Sequence, residues 1–201
     1  MKIKGIKTMI NLSGGYDSTY VLWRWLTDNP EDRILVHRCR LQSNQKRMQA
    51  EDTAVKNILK WLRSKGLDNF EVFETRFEFV SSGKSYDYNV IAFINALIFR
   101  LREFRDIKTL LVCQNSTDTN MVPFSDTLKY YKGVEANPGF LAIPDRYIKT
   151  EYPIIDMPKP EIASLLPEEL RKVCWSCATP IYDDDGNAIE CGRCLTCQRI
   201  Q

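Results

Sequence analysis

The chain has 201 residues, 44% of them hydrophobic, which allows one sizeable core with a small appended module and excludes two large domains. Its 28 Lys+Arg and 26 Asp+Glu leave a formal charge of +2. That is far short of the basic excess of a domain that holds nucleic acid by neutralising phosphates, so bulk charge names no partner.

The opening MKIKGIKTMINLSGG interrupts its short apolar run with lysine and glycine before a signal-peptide core can form. No later stretch of about 18 apolar residues is available to span a membrane. A soluble cytoplasmic protein is expected. Five of the seven cysteines fall within residues 174–197, which points to metal binding or thiolate chemistry rather than disulfides.

In chain order, Thr8–Leu12 reads as a short buried strand and Ser18–Leu26 as a helix. Ile34–Val36 is a second strand. Met48–Leu62 is a second helix, with Ala54, Val55, Ile58, Leu59 and Leu62 at i, i+3, i+4 intervals. Phe70–Phe73, extendable to Phe79, supplies a third strand; Ser85 or Asp87 caps an apolar helix over Tyr88–Phe104, and Thr109–Cys113 is a fourth strand. Regular alternation of strand and helix predicts an α/β fold with an open parallel sheet and helices on both faces, because parallel neighbours need crossover connections. Residues 114–126 and 133–147 read as loops over a site, with a short helix at Ser125–Tyr131 between them. Lys159–Leu170 reads as a helix broken at Pro167.

Between the first strand and helix lies Ser13-Gly14-Gly15-Tyr16-Asp17-Ser18. A corner of this kind presents unpaired backbone amides, backed by the helix dipole, to one point, and so holds an anion. Glycine permits close approach of a phosphate, and the serine hydroxyls add donors. Neither Gly-Lys-Ser/Thr nor G-x-G-x-x-G occurs at the spacing of the two better-known phosphate loops.

The tail reads Cys174-x2-Cys177-x13-Cys191-Gly-Arg-Cys194-x2-Cys197. Tetrahedral zinc takes four sulfurs, and spacing alone leaves Cys174 and Cys177 as alternatives for the fourth. His37, the one histidine, is placed at the end of the second strand, where open parallel sheets bind ligands, and Asn115, Asp118 and Asp126 follow the fourth strand at the same edge. His37, Asn115 and Asp118 are candidate substrate contacts, with Asp118 also a catalytic or magnesium-facing candidate. Arg47 and Lys159 are candidates for phosphate contact. Trp23, Trp25 and Trp61 are expected to pack, and Asp183–Gly186 to form a solvated turn.

The S-G-G-x-D-S loop after a first strand resembles that of the ATP pyrophosphatases, or PP-loop enzymes. The resemblance implies that Ser13, Gly14, Gly15, Tyr16 and Ser18 hold the β- and γ-phosphates of ATP. It places Asp17 near a magnesium ion, with Asp17 and Ser18 serving adenylation. Trp175-Ser176-Cys177 followed by Cys191-Gly192-x-Cys194-x2-Cys197 resembles the zinc signature of the 7-cyano-7-deazaguanine synthases. That likeness assigns Cys177, Cys191, Cys194 and Cys197 to zinc and leaves Cys174 aside. Arg47 with Glu51, Asn89 with Ala96, and Lys159-Pro160-Glu161-Ile162 resemble further segments of the family, and Asn89 is thereby a substrate-binding candidate.

The implied activity is ATP-dependent conversion of 7-carboxy-7-deazaguanine and ammonia to the nitrile, in a homodimer, with a PP-loop domain over 1–170 and a zinc module over 171–201. Three family features are missing. Leu41–Gln45 replaces Tyr-Gly-Gln, Tyr88 replaces an arginine, and Tyr-Pro-Asp-Cys-Arg has no counterpart. They leave two alternatives: a PP-loop enzyme that adenylates another base, nucleotide or nucleic acid, and a zinc-stabilised nucleotide-binding module without turnover.

Overall fold

The computed structural model describes residues 3–42, 46–78, 87–119 and 148–200, excluding the side chains of 87–89 and 118–119. Strands β1 (Thr8–Asn11), β2 (Ile34–Gln42), β3 (Phe70–Glu78), β4 (Thr109–Leu111) and β5 (Lys149–Glu151) form one parallel sheet in the order β3-β2-β1-β4-β5. Helices α1 (Tyr16–Asp28), α2 (Met48–Ser64) and α3 (Asp87–Arg100) connect the first four strands, and α4 (Lys159–Leu165) follows the fifth.

Period-2 alternation in the strands sorts their side chains into two cores. Ile10, Leu12, Ile34, Val36 and Leu111 face α1, α2 and Ile162 of α4. Met9, Leu35, Cys39, Leu41 and Leu110 face the other way, against Ile94, Ile98 and Phe99 of α3. The expected α/β sheet with helices on both faces is therefore what the chain builds. No helix among the described residues is long and apolar enough to cross a membrane.

Several boundaries differ from expectation for physical reasons. Strand β2 runs on to Gln42 because it lies between β1 and β3, and β3 pairs with it through Glu78. The helix expected to reach Phe104 ends at Arg100, since Leu101 is extended (ψ 137°), and a separate 3-10 turn covers Arg102–Phe104. Leu166 and Pro167 are both extended, so Lys159–Leu170 divides into α4 and a short helix over Glu168–Arg171. Strand β5, Lys-Thr-Glu, is not among the elements predicted from sequence: it is polar and its ladder is supplied by β4. The short helix expected over Ser125–Tyr131, and Asp126 with it, lie outside the described residues.

Candidate nucleotide and metal site

The strand order reverses direction between β1 and β4, the point at which open α/β sheets bind ligands beyond their carboxyl ends. Both segments leaving that edge carry the sequence candidates. Gly14 has φ +91°, and a Cβ there would come within 3.2 Å of the Glu51 carbonyl oxygen and of Ala54 Cβ, so the loop lies directly on α2. Only glycine satisfies both constraints. Gly15 differs. Its φ of −81° and ψ of 168° suit any residue, and a Cβ would meet nothing closer than 3.5 Å. The space above it is bounded by Ser13 Oγ, the Trp175 carbonyl and Ser176 Oγ.

The first bond of α1 runs from Thr19 N–H to the Gly15 carbonyl (3.1 Å), and no side chain caps the terminus. The amides of Tyr16, Asp17 and Ser18 consequently have no acceptor within the helix. The serines hydrogen-bond within the loop. Ser18 is buried, and its hydroxyl accepts the Ser13 N–H at 3.2 Å and lies 3.1 Å from the Ser13 hydroxyl, which accepts the Gly15 N–H at 3.3 Å. They brace the loop from within, and the amides of the first turn of α1 remain without a capping side chain.

Asp17 and Lys159 meet. Lys159 Nζ lies 3.1 Å from Asp17 Oδ2, with the two side chains 7% and 16% exposed, while Asp17 Oδ1 is buried and has no hydrogen-bond partner among the described residues. Lys159 is placed by the segment after β4: its backbone N–H donates to Thr117 Oγ1 (2.8 Å), and Ser116 N–H donates to the Met157 carbonyl (3.0 Å). Two thiols flank the same carboxylate. Burial pushes Cys113 upward and Cys174 up to about 12, and the charge of Asp17 adds to both, so each is a neutral thiol near neutral pH rather than a nucleophile.

Other candidates take structural positions. His37 is fully buried, its Nδ1 2.7 Å from Asn11 Oδ1 and its Nε2 2.8 Å from Thr75 Oγ1, and Phe73 stacks on the ring. Burial pushes its pKa down to about 4, so the neutral ring ties β1, β2 and β3 together inside the sheet. This corrects the expectation of a substrate contact. Asn115 is also fully buried, and its Oδ1 accepts the Thr117 N–H at 2.8 Å, shaping the turn that carries Lys159. The side chains of Asn89 and Asp118 are outside the described set; the backbone of Asp118 lies in a 3-10 turn, Ser116–Thr119, at the ligand edge.

Arg47 heads α2 and pairs with Glu51 at 3.0 Å. Sequence reading missed what lies beneath. Arg38, 2% exposed, donates to Glu51 Oε2 (3.0 Å) and Asp52 Oδ1 (3.1 Å), and Arg40 meets Asp52 Oδ2 at 2.7 Å. An arginine inside a strand next to the acidic pair Glu51-Asp52 four residues into α2 was the available signal.

The sulfurs of Cys177, Cys191, Cys194 and Cys197 all lie within 4.8 Å of one another. Gly192, at φ +66°, makes the turn between two of them, and the N–H groups of Cys191 and Cys194 point at the sulfurs of Cys177 and Cys191, both at 3.3 Å. Cys174 stays outside, donating to the Leu170 carbonyl (3.3 Å). Four thiols converging on one point fit a metal ion. The module then returns to the loop: Trp175 N–H donates to the Gly14 carbonyl at 2.8 Å, and its indole N–H donates to the Cys177 carbonyl at 2.9 Å. The turn at Asp183–Gly186 closes a two-stranded hairpin, Ile181–Tyr182 with Ala188–Ile189, and Tyr182 Oη donates to the Lys46 carbonyl (2.6 Å) just before α2. Trp175 and Ser176 were legible only as part of a metal signature; their contact with the loop was not.

No family model and no curated protein matches the sequence. Solved structures do. The U34-tRNA thiolase NcsA from Methanococcus maripaludis, solved with its 4Fe-4S cluster, superposes with a TM-score of 0.53 at 16% identity, over 96% of this chain and 62% of its own. The NMN synthetase from Francisella tularensis gives 0.51 at 14% identity, over 88% of this chain and 68% of its own. The chain thus spans about two thirds of the length of each. At this identity the likeness establishes that this chain shares their Rossmann-like fold.

Proposed function

We propose that this chain is an ATP-dependent adenylating enzyme. The observation that carries the reading is the uncapped start of α1 at the sheet's switch point, where three amides have no acceptor within the helix and Asp17 Oδ1 has no partner among the described residues. The loop takes the β- and γ-phosphates of ATP, and Asp17 Oδ1 is the group that would face a magnesium ion. A substrate oxygen attacks the α-phosphorus, its bond to the bridging oxygen breaks, and pyrophosphate leaves from the loop. The amides and Lys159 stabilise the charge on that leaving group, so positioning and electrostatics carry the chemistry.

The W-S-C and C-G-x-C-x-x-C elements favour 7-carboxy-7-deazaguanine as the substrate. Its carboxylate becomes an acyl-adenylate, ammonia displaces AMP to give the amide, and a second adenylation on the amide oxygen lets AMP depart with formation of the nitrile. The test is purified protein with ATP, magnesium, ammonium and this carboxylate. Pyrophosphate release that depends on the deazaguanine is expected; no release overturns the substrate. The departures at Leu41–Gln45 and the sealed His37 favour a second reading in which another carbonyl compound or base is adenylated, and a screen of such compounds for pyrophosphate release separates the two.

For the four cysteines we propose zinc. Sulfurs around one tetrahedral zinc stand about 3.8 Å apart, given bonds of about 2.3 Å. Cys194 lies 3.9 Å from Cys177 and 3.4 Å from Cys197. Thiolates bound to four different irons of a cube stand farther apart than thiolates sharing one ion. Metal analysis is expected to find about one zinc per chain and no iron–sulfur absorbance; a brown protein containing iron and sulfide overturns the assignment.

A further inference from the structure

We propose that Ser176, a residue of the four-cysteine module, is a phosphate-binding residue of the nucleotide site. This rests on the adenylating reading and adds to it a donor from the other end of the chain. Ser176 Oγ is buried and has no hydrogen-bond partner among the described residues. It lies 3.7 Å from the point a Cβ on Gly15 would occupy, in the space above the loop that the fold itself does not require to be empty. Its neighbours hold it there: Trp175 is tied to Gly14 through its N–H and to Cys177 through its indole, and Cys177 belongs to the sulfur cluster.

A buried hydroxyl without a partner is unfavourable, and native structures complete one with a ligand, an ion or an ordered water. Beside it are the amides at the start of α1, which are donors, so the group that satisfies all of them is an acceptor-rich anion. A terminal phosphate of ATP, or free pyrophosphate, has that chemistry.

The experiment titrates ATP and inorganic pyrophosphate into the zinc-loaded full chain by calorimetry. Ser176→Ala is expected to weaken both by about tenfold to a hundredfold, the range for a hydrogen bond to a charged group. Because the hydroxyl makes no bond to any described residue, the variant keeps its zinc and melts at or above the wild-type temperature. Ser176→Thr, which keeps a hydroxyl, is expected to stay within about threefold of wild type. Equal affinity in the alanine variant overturns the proposal while leaving the adenylating reading intact, as does loss of zinc or a melting point several degrees lower, which marks a structural serine. A threonine variant as weak as the alanine one also overturns it. Wild-type protein that binds neither ligand overturns the adenylating reading and this proposal together.

Discussion

Asp17→Asn is expected to lower the rate of pyrophosphate release by about 10²- to 10³-fold, the usual cost of removing one preorganised electrostatic group from an active site. Asparagine keeps the shape and removes the charge. Two consequences follow from the same atoms. Oδ1 loses its capacity to face a cation on the phosphates, and the ammonium of Lys159 is left 3.1 Å from a neutral amide with little solvent around it. The second effect acts on stability, since breaking a buried pair leaves an uncompensated charge. A double variant separates them: Asp17→Asn with Lys159→Met removes the stranded charge, so it recovers melting temperature and stays inactive. Single-turnover release of pyrophosphate measures the first effect and thermal melting the second. An Asp17→Asn protein within about threefold of wild-type rate removes Asp17 from the chemistry.

Arg38→Ala is expected to destabilise the fold by about 3–5 kcal/mol, a large share of the stability of a domain this size. The guanidinium is 2% exposed and bridges Glu51 and Asp52, so its removal takes away the buried partner of Glu51 and leaves that carboxylate with Arg47 at the head of α2. The damage reaches the phosphate loop. The Glu51 carbonyl is one of the surfaces against which Gly14 is packed, and a first turn of α2 that shifts to hydrate Glu51 takes that wall with it. Urea unfolding gives the stability loss and calorimetry the accompanying loss of ATP affinity. Arg38→Met with Glu51→Gln, which removes both charges, is expected to recover most of the stability. A single alanine variant that loses less than about 1 kcal/mol shows the network to be solvated rather than buried.

Much of the architecture was written in short-range pattern. Alternating apolar residues such as Met9-Ile10 and Leu35-Val36 divide between two cores because each strand is buried on both faces, and the 3.6-residue spacing of Ala54, Ile58 and Leu62 marks the buried side of α2. The β1–α1 corner was legible because glycine at positive φ leaves a trace in composition. Strand β5 left none: three polar residues become a strand only because β4 offers an unpaired edge. The site was half legible for the same reason. Motifs named the loop and the sulfurs, whereas the pairing of Asp17 with Lys159, the sealing of His37 between Asn11 and Thr75, and the docking of Trp175 on Gly14 are contacts between distant residues. Spacing along the chain carries no record of these.

The hydrogen bond from Trp175 to Gly14 joins two turns separated by about 160 residues of chain. On a ribosome adding about 5–20 residues per second, the β1–α1 corner emerges many seconds before the segment that closes over it. A nascent chain can therefore assemble its first strands and helices while the phosphate cup still lacks one wall. The corner is completed only when the cysteine-bearing segment has emerged and folded back, and translation that stops short of Trp175 yields a sheet whose first turn is left uncovered.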